Sequence, residues 1–125
     1  MKKLIVIWAT LFLFACTNMF TELSDPLESP SWIRGEWKLF GESEPYFTFY
    51  PTDVFWGNSD LYNLYNECKI HDEFTDTQYI ITYYLDPNHN TLKVELIFTS
   101  IDATRIEFKD YLDNQLGNTK VLYKM

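Results

Sequence analysis

The chain has 125 residues, with 18 acidic and 10 basic side chains, a formal charge of −8 and 46% hydrophobic residues. That length holds one small domain, and the negative balance repels phosphate backbones and anionic headgroups, which argues against nucleic acid as a partner. Aromatic residues make up 18% of the chain, enough large rings to build a core without crosslinks.

The first element is an address. Lys2 and Lys3 precede an apolar run that ends in Leu13-Phe14-Ala15-Cys16, the order of a secretory signal and too short for a permanent membrane span. Leu13-Phe14-Ala15-Cys16 resembles the lipobox of bacterial lipoproteins. The resemblance implies that residues 1–15 are a signal peptide, that the sulfur of Cys16 carries diacylglycerol, and that its new amine is acylated, for example with palmitate. Several acyl chains, at about 0.8 kcal/mol per buried methylene, make such an anchor effectively permanent. Thr17 rather than an aspartate follows the cysteine, which by resemblance to sorting in enteric bacteria implies an outer-membrane lipoprotein of the cell envelope. The competing reading is an ordinary cleaved signal or a buried N-terminal helix. Processing would remove two lysines and no acid, taking the formal charge from −8 to −10. With Cys16 lipidated, no intramolecular disulfide is expected. Cys68, which shares a parity with Tyr62, Leu64 and Ile70, is then expected to be a buried thiol.

Residues 16–29 are polar, without a sustained period and interrupted by Pro26, and read as a flexible tether. Within it, the twelve residues 17–28 reach about 40 Å when extended. A domain is expected over residues 30–125. It begins with a one-turn helix, in which Ser29 is the N-cap, Pro30 the first helical residue and Gly35 the stop.

From Gly35 onward the period is two, and the domain is expected to be all-β. Strands are predicted at residues 36–40, 46–50, 54–56 and 61–70, the last competing with a capped helix over residues 59–65. Residues 78–124 read as a four-stranded meander. Its clearest strand turns Leu92, Val94, Leu96 and Phe98 one way and Lys93 and Glu95 the other, and its turns fall at residues 86–90, 100–103 and 113–118. Eight strands with up-and-down connections predict a small closed antiparallel barrel, which removes exposed edges. A two-sheet sandwich is the alternative.

Pro30-Ser31-Trp32-Ile33-Arg34-Gly35-Glu36-Trp37 resembles the start of a lipocalin-like barrel, where a short helix leads into Gly-x-Trp on the first strand. The resemblance implies that Trp37 plugs the closed end and that a late basic residue, Arg105 or Lys124, lies across its ring as a cation–π cover. It also implies a ligand cavity, for which Trp37, Phe47, Phe49, Val94 and Phe98 are the candidate lining residues.

No activated nucleophile, phosphate loop or metal-ligand pattern is present, so no enzyme, cofactor or metal is expected. His71-Asp72-Glu73 would converge on a metal only in a loop, since neighbours on a strand point to opposite faces. The functional expectation is a membrane-anchored binding module for a small apolar ligand in the barrel. The alternative is a solid barrel whose acidic outer loops, with Asp72, Glu73, Asp76, Asp110 and Asp113 as candidates, bind or inhibit a cationic protein. Exposed Tyr46, Tyr50 and Trp56 offer a further platform for a sugar or a protein.

Overall fold

The computed structural model of the protein describes residues 23–125. The signal segment, Cys16 and its lipidation lie outside the described residues. The first element is a 3-10 turn, Ser31–Ile33, with Pro30 in extended conformation at its N-cap and no side-chain cap. Ser29 is therefore not the cap expected of it. Its hydroxyl donates to the Tyr50 carbonyl at 2.6 Å, and the residue is completely buried. Gly35 then swings the chain from turn into strand at φ +117, a value that disfavours any side chain, and a Cβ there would sit 3.2 Å from Lys124 Nζ.

Nine strands follow, all antiparallel: β1 (Gly35–Leu39), β2 (Phe47–Tyr50), β3 (Asp53–Trp56), β4 (Ser59–Asp60), β5 (His71–Phe74), β6 (Gln78–Asp86), β7 (Thr91–Asp102), β8 (Arg105–Leu112) and β9 (Gln115–Lys124). A short helix, α1 (Leu61–Tyr65), lies between β4 and β5. The sheet order is β4-β3-β2-β1-β9-β8-β7-β6-β5. Two meanders are thus sewn together where β1 meets β9, through Trp37 opposite Lys124 and Leu39 opposite Leu122.

The all-β expectation holds, and the predicted meander over residues 78–124 is β6 to β9. The predicted eight-stranded closed barrel is not what forms. Among the described residues there are nine strands, and the outer strands β4 and β5 do not pair with each other. The cause lies in residues 59–70. β4 is only two residues long, after which the Asp60 side chain accepts from the Asn63 amide at 3.1 Å and starts α1, so the capped helix wins over the strand expected at residues 61–70. Lys69 then takes a left-handed φ of 59, which delays extended structure until His71. The meander also differs in detail. β7 runs on to Asp102 through a bulge between Ser100 and Asp102, where a turn was expected. Asp113 and Asn114 both have positive φ, the requirement of the tight hairpin turn that matches strand twist.

Residues 24–29, expected to be tether, pack against the gap in the sheet. The Tyr62 hydroxyl donates to the Ser24 carbonyl at 2.6 Å, and the Ser24 amide donates to the Asn66 carbonyl at 2.8 Å. Further along, the Glu28 amide donates to Asp72 Oδ2 at 2.7 Å and the Ser29 amide to the Pro51 carbonyl at 3.3 Å. Leu27, between these anchors, is 1% exposed and belongs to the core. The segment therefore acts as a strap that touches the β2–β3 turn and α1 on one side and β5 on the other.

Cys68 is fully buried, as expected. Its amide donates to the Tyr65 carbonyl and its carbonyl accepts from the Tyr84 amide, both at 2.9 Å. Its side chain is engaged rather than free, so the free thiol expected is not borne out.

Candidate functional site

Four of the five residues expected to line a cavity form the packed centre of the molecule instead. Phe98 meets Phe47 and Phe49 edge to face, with centroids 4.8 and 4.9 Å away, Phe47 and Phe49 stack on each other at 5.8 Å, and Phe108 stacks on Phe98 at 5.1 Å. All four rings are buried. Side chains fill the sheet interior at this level at distances typical of aromatic pairs.

Trp37 occupies the end below them, 1% exposed, and its indole Nε1 donates to the Ile33 carbonyl at 2.7 Å. Of the two expected covers, Lys124 takes the place. Its Nζ lies 4.9 Å from the Trp37 ring centroid and donates to the Arg34 carbonyl at 2.7 Å. Arg105 turns away to pair with Asp102 through two donors at 3.0 and 2.8 Å, and that pairing holds the Asp102 carboxyl down at about 2.

Val94, the fifth candidate, lies in the wall of an open cleft at the opposite end of the sheet, where β6 ends and β9 begins. The cleft has two lobes. One, of about 330 Å³, runs between Trp56 and α1, past Leu61, Leu64 and Tyr65. The other, of about 290 Å³, is walled by Leu85, Val94, Leu96 and Leu112 and contains Asp110, Gln115 and Gly117. Trp56 and Tyr83 border both lobes. Together the lobes fall within the usual size of small-molecule sites.

The walls are held from below. Trp56 stacks on Phe47 at 5.0 Å and meets Phe108 edge-on at 5.5 Å, so the cleft floor is continuous with the rigid aromatic centre. Tyr83 stacks on Tyr65 at 4.0 Å with the planes 13° apart, which fixes α1 against β6. Burial, reinforced by Tyr65 and then by Asp110, keeps the Tyr83 hydroxyl protonated well beyond its ordinary range. The platform expected from Tyr46, Tyr50 and Trp56 is divided. Tyr46 turns towards Trp56 at 6.3 Å, whereas Tyr50 is exposed and faces Phe55 at 5.5 Å.

Asp110 is the polar group of the second lobe. It stands opposite Leu96 just as Phe108 stands opposite Phe98, so its side chain shares the inward parity. A bulge between Lys109 and Tyr111 against β9 leaves it opposite the segment that holds Gly117 and Asn118. Its carboxylate accepts from the Asn118 amide at 2.6 Å and from Asn118 Nδ2 at 3.2 Å. A Cβ on residue 117 would collide with Asp110 Oδ1, so glycine is required there for the carboxylate to hold this position.

No protein-family model, curated protein or solved structure matches this chain. What the cleft can do must therefore be read from its own geometry. Among the described residues no three His, Cys, Asp or Glu side chains gather as metal ligands, and no helix is long and apolar enough to cross a membrane. The triplet at residues 71–73 is dispersed. His71 Nδ1 contacts the Lys69 carbonyl at 2.9 Å, while Asp72 accepts from the Tyr79 hydroxyl at 2.7 Å as well as from Glu28.

A carboxylate pair, Asp53 and Asp60, lies beside the α1 lobe. Asp53 accepts from the Val54 and Tyr62 amides at 2.7 and 3.3 Å, tying β3 to α1. Burial first, and the hydrogen bond shared with Asp60 second, push its carboxyl up from 3.8 to about 6. An acid raised in the folded state holds a proton that the unfolded chain has released, so its contribution favours folding most below about pH 4 and is lost as pH rises through 6. Asp53→Asn keeps the acceptor and removes the charge. We expect it to raise the melting temperature above pH 7 and to flatten its decline between about pH 4 and 7. An unaltered profile in thermal melts across that range would refute the shared proton.

Proposed function

We propose that the protein is a lipid-anchored envelope lipoprotein whose domain, a lipocalin-like sheet left open along one seam, binds a small apolar or amphipathic ligand in the cleft beside Trp56 and Tyr83. The observation that carries the reading is that cleft, two lobes that share two aromatic side chains, one of which stacks on the aromatic centre. The lipocalin likeness is supported by Gly35-x-Trp37 after a short turn, by the pairing of first and last strands, and by Lys124 over Trp37. The lipid anchor is supported by Leu13-Phe14-Ala15-Cys16. The role is binding rather than catalysis, without a cofactor.

The filled aromatic centre favours a second reading, a solid domain whose acidic exterior binds a cationic protein, with affinity that falls as salt screens exposed charges. Native mass spectrometry of the purified full protein, compared with its denatured mass and an organic extract, separates the two. A bound small molecule supports the cleft reading. A clean mass together with salt-sensitive capture of a basic protein overturns it.

The anchor has its own test. The chain contains two cysteines, so acylation of Cys16 and a bridge between Cys16 and Cys68 are alternative fates of one sulfur. Palmitate label on the wild type and none on Cys16→Ser supports the anchor. An unlabelled wild type whose intact mass lacks two hydrogens overturns it.

A further inference from the structure

We propose that the cleft takes an amphipathic cation, with its ammonium or guanidinium group beside the Asp110 carboxylate and its apolar part against Trp56 and Tyr83. The inference rests on the ligand-binding reading above and adds the charge of the ligand.

The argument begins with what surrounds Asp110. Its register places a carboxylate on the inward side of β8, level with Leu96 and beside Val94 and Leu112. The side chain is half-buried, in the wall of the second lobe. Asn118 supplies two donors but no positive charge, and among the described residues no lysine, arginine or histidine forms an ion pair with Asp110. A carboxylate offers about four acceptor positions, so acceptor capacity remains on the cleft side. The position is also built rather than incidental, since a bulge, a glycine without room for a Cβ and a backbone amide all hold the group where it is.

The rest of the cleft matches the other half of such a ligand. Trp56 and Tyr83 present aromatic side chains to both lobes, a surface that attracts cations as well as alkyl chains. Exposed Leu64 and Leu112 supply apolar edges to the two lobes.

Three probes of one chain length test this: octylammonium, octanol and octanoate, titrated calorimetrically into the full chain held in zwitterionic nanodiscs, with empty nanodiscs as the blank. We expect the cation to bind about ten-fold more tightly than octanol, the gain of one hydrogen-bond-strength contact to a charged group, and octanoate to bind most weakly. Asp110→Asn should abolish the preference while leaving octanol affinity unchanged. Glu107→Gln, on the outward side of the same strand and 3.8 Å from Lys109, should keep it. Should Asp110→Asn fail to melt cooperatively, the wild type decides instead, because a preference present at low salt and lost at high salt has the same origin. Octanol binding without a preference for the cation, or a preference that survives Asp110→Asn, overturns this inference and leaves the ligand-binding reading standing. Failure of all three probes to bind overturns both.

Discussion

Replacing Trp37 with alanine is expected to destabilise the domain by about 3–5 kcal/mol, the usual cost of deleting a large buried ring. Three losses coincide at this position. The ring is almost wholly buried and packs in the main core cluster. Its indole donates a hydrogen bond to the Ile33 carbonyl at the end of the 3-10 turn, and a buried carbonyl deprived of its donor adds its own penalty. Lys124 would keep its bond to Arg34 but lose the aromatic face beneath it. Trp37→Phe separates these contributions, because it retains a face for the ammonium and removes only the donor and part of the volume. We expect it to cost about 1–3 kcal/mol. Urea denaturation at constant slope checks both, and an unchanged midpoint for the alanine variant would remove Trp37 from the role of plug.

Leu27→Ala carries the second large effect, about 2–5 kcal/mol. Leu27 is the buried apolar side chain of the strap, flanked by backbone bonds at Ser24, Glu28 and Ser29. Once it is truncated, those bonds must hold the segment against the entropy of releasing it, at about 1–2 kcal/mol per residue. Amide hydrogen exchange should therefore quicken at Ser24, Glu28 and Ser29 before it quickens in β7 or β8. Leu23→Ala is the control, since Leu23 is 61% exposed and its truncation should change stability by less than about 0.5 kcal/mol. Equal effects of the two variants, or no change in exchange at the strap, would mean that residues 24–29 do not seal the seam.

These two positions mark where sequence reading succeeds and where it stops. Trp37 could be found because a short turn, a glycine and a tryptophan stand in a fixed local order, and Lys124 because a late basic residue on an alternating strand has few places to go. The meander from β6 to β9 was visible for the same reason, as period-two alternation reports which face a side chain occupies. Alternation does not report how far away the opposite wall is. Phe47, Phe49 and Phe98 were correctly turned inward, yet whether they enclose space or fill it depends on sheet curvature, which no residue encodes by itself. The strap escaped because one leucine between Pro26 and Glu28 has no period to reveal it. Asp110 was noticed only as one acid among several, since its inward aim depends on the facing of two strands and on a bulge. Tyr65 and Tyr83, stacked at 4.0 Å, come from a helix that competed with a strand in the sequence, and nothing local announces their meeting.

The joining of β1 to β9 also governs the order in which this protein can be made. Trp37 and Lys124 are opposite one another, so contacts that span almost the whole domain must form before the two meanders become one sheet. Closing so long a loop is entropically costly and slows folding relative to local pairing. While the chain grows from its N-terminus, β1 has only β2 for a neighbour and the plug lacks its cover until the last strand has emerged. The single sheet is therefore the last feature of the fold to be completed.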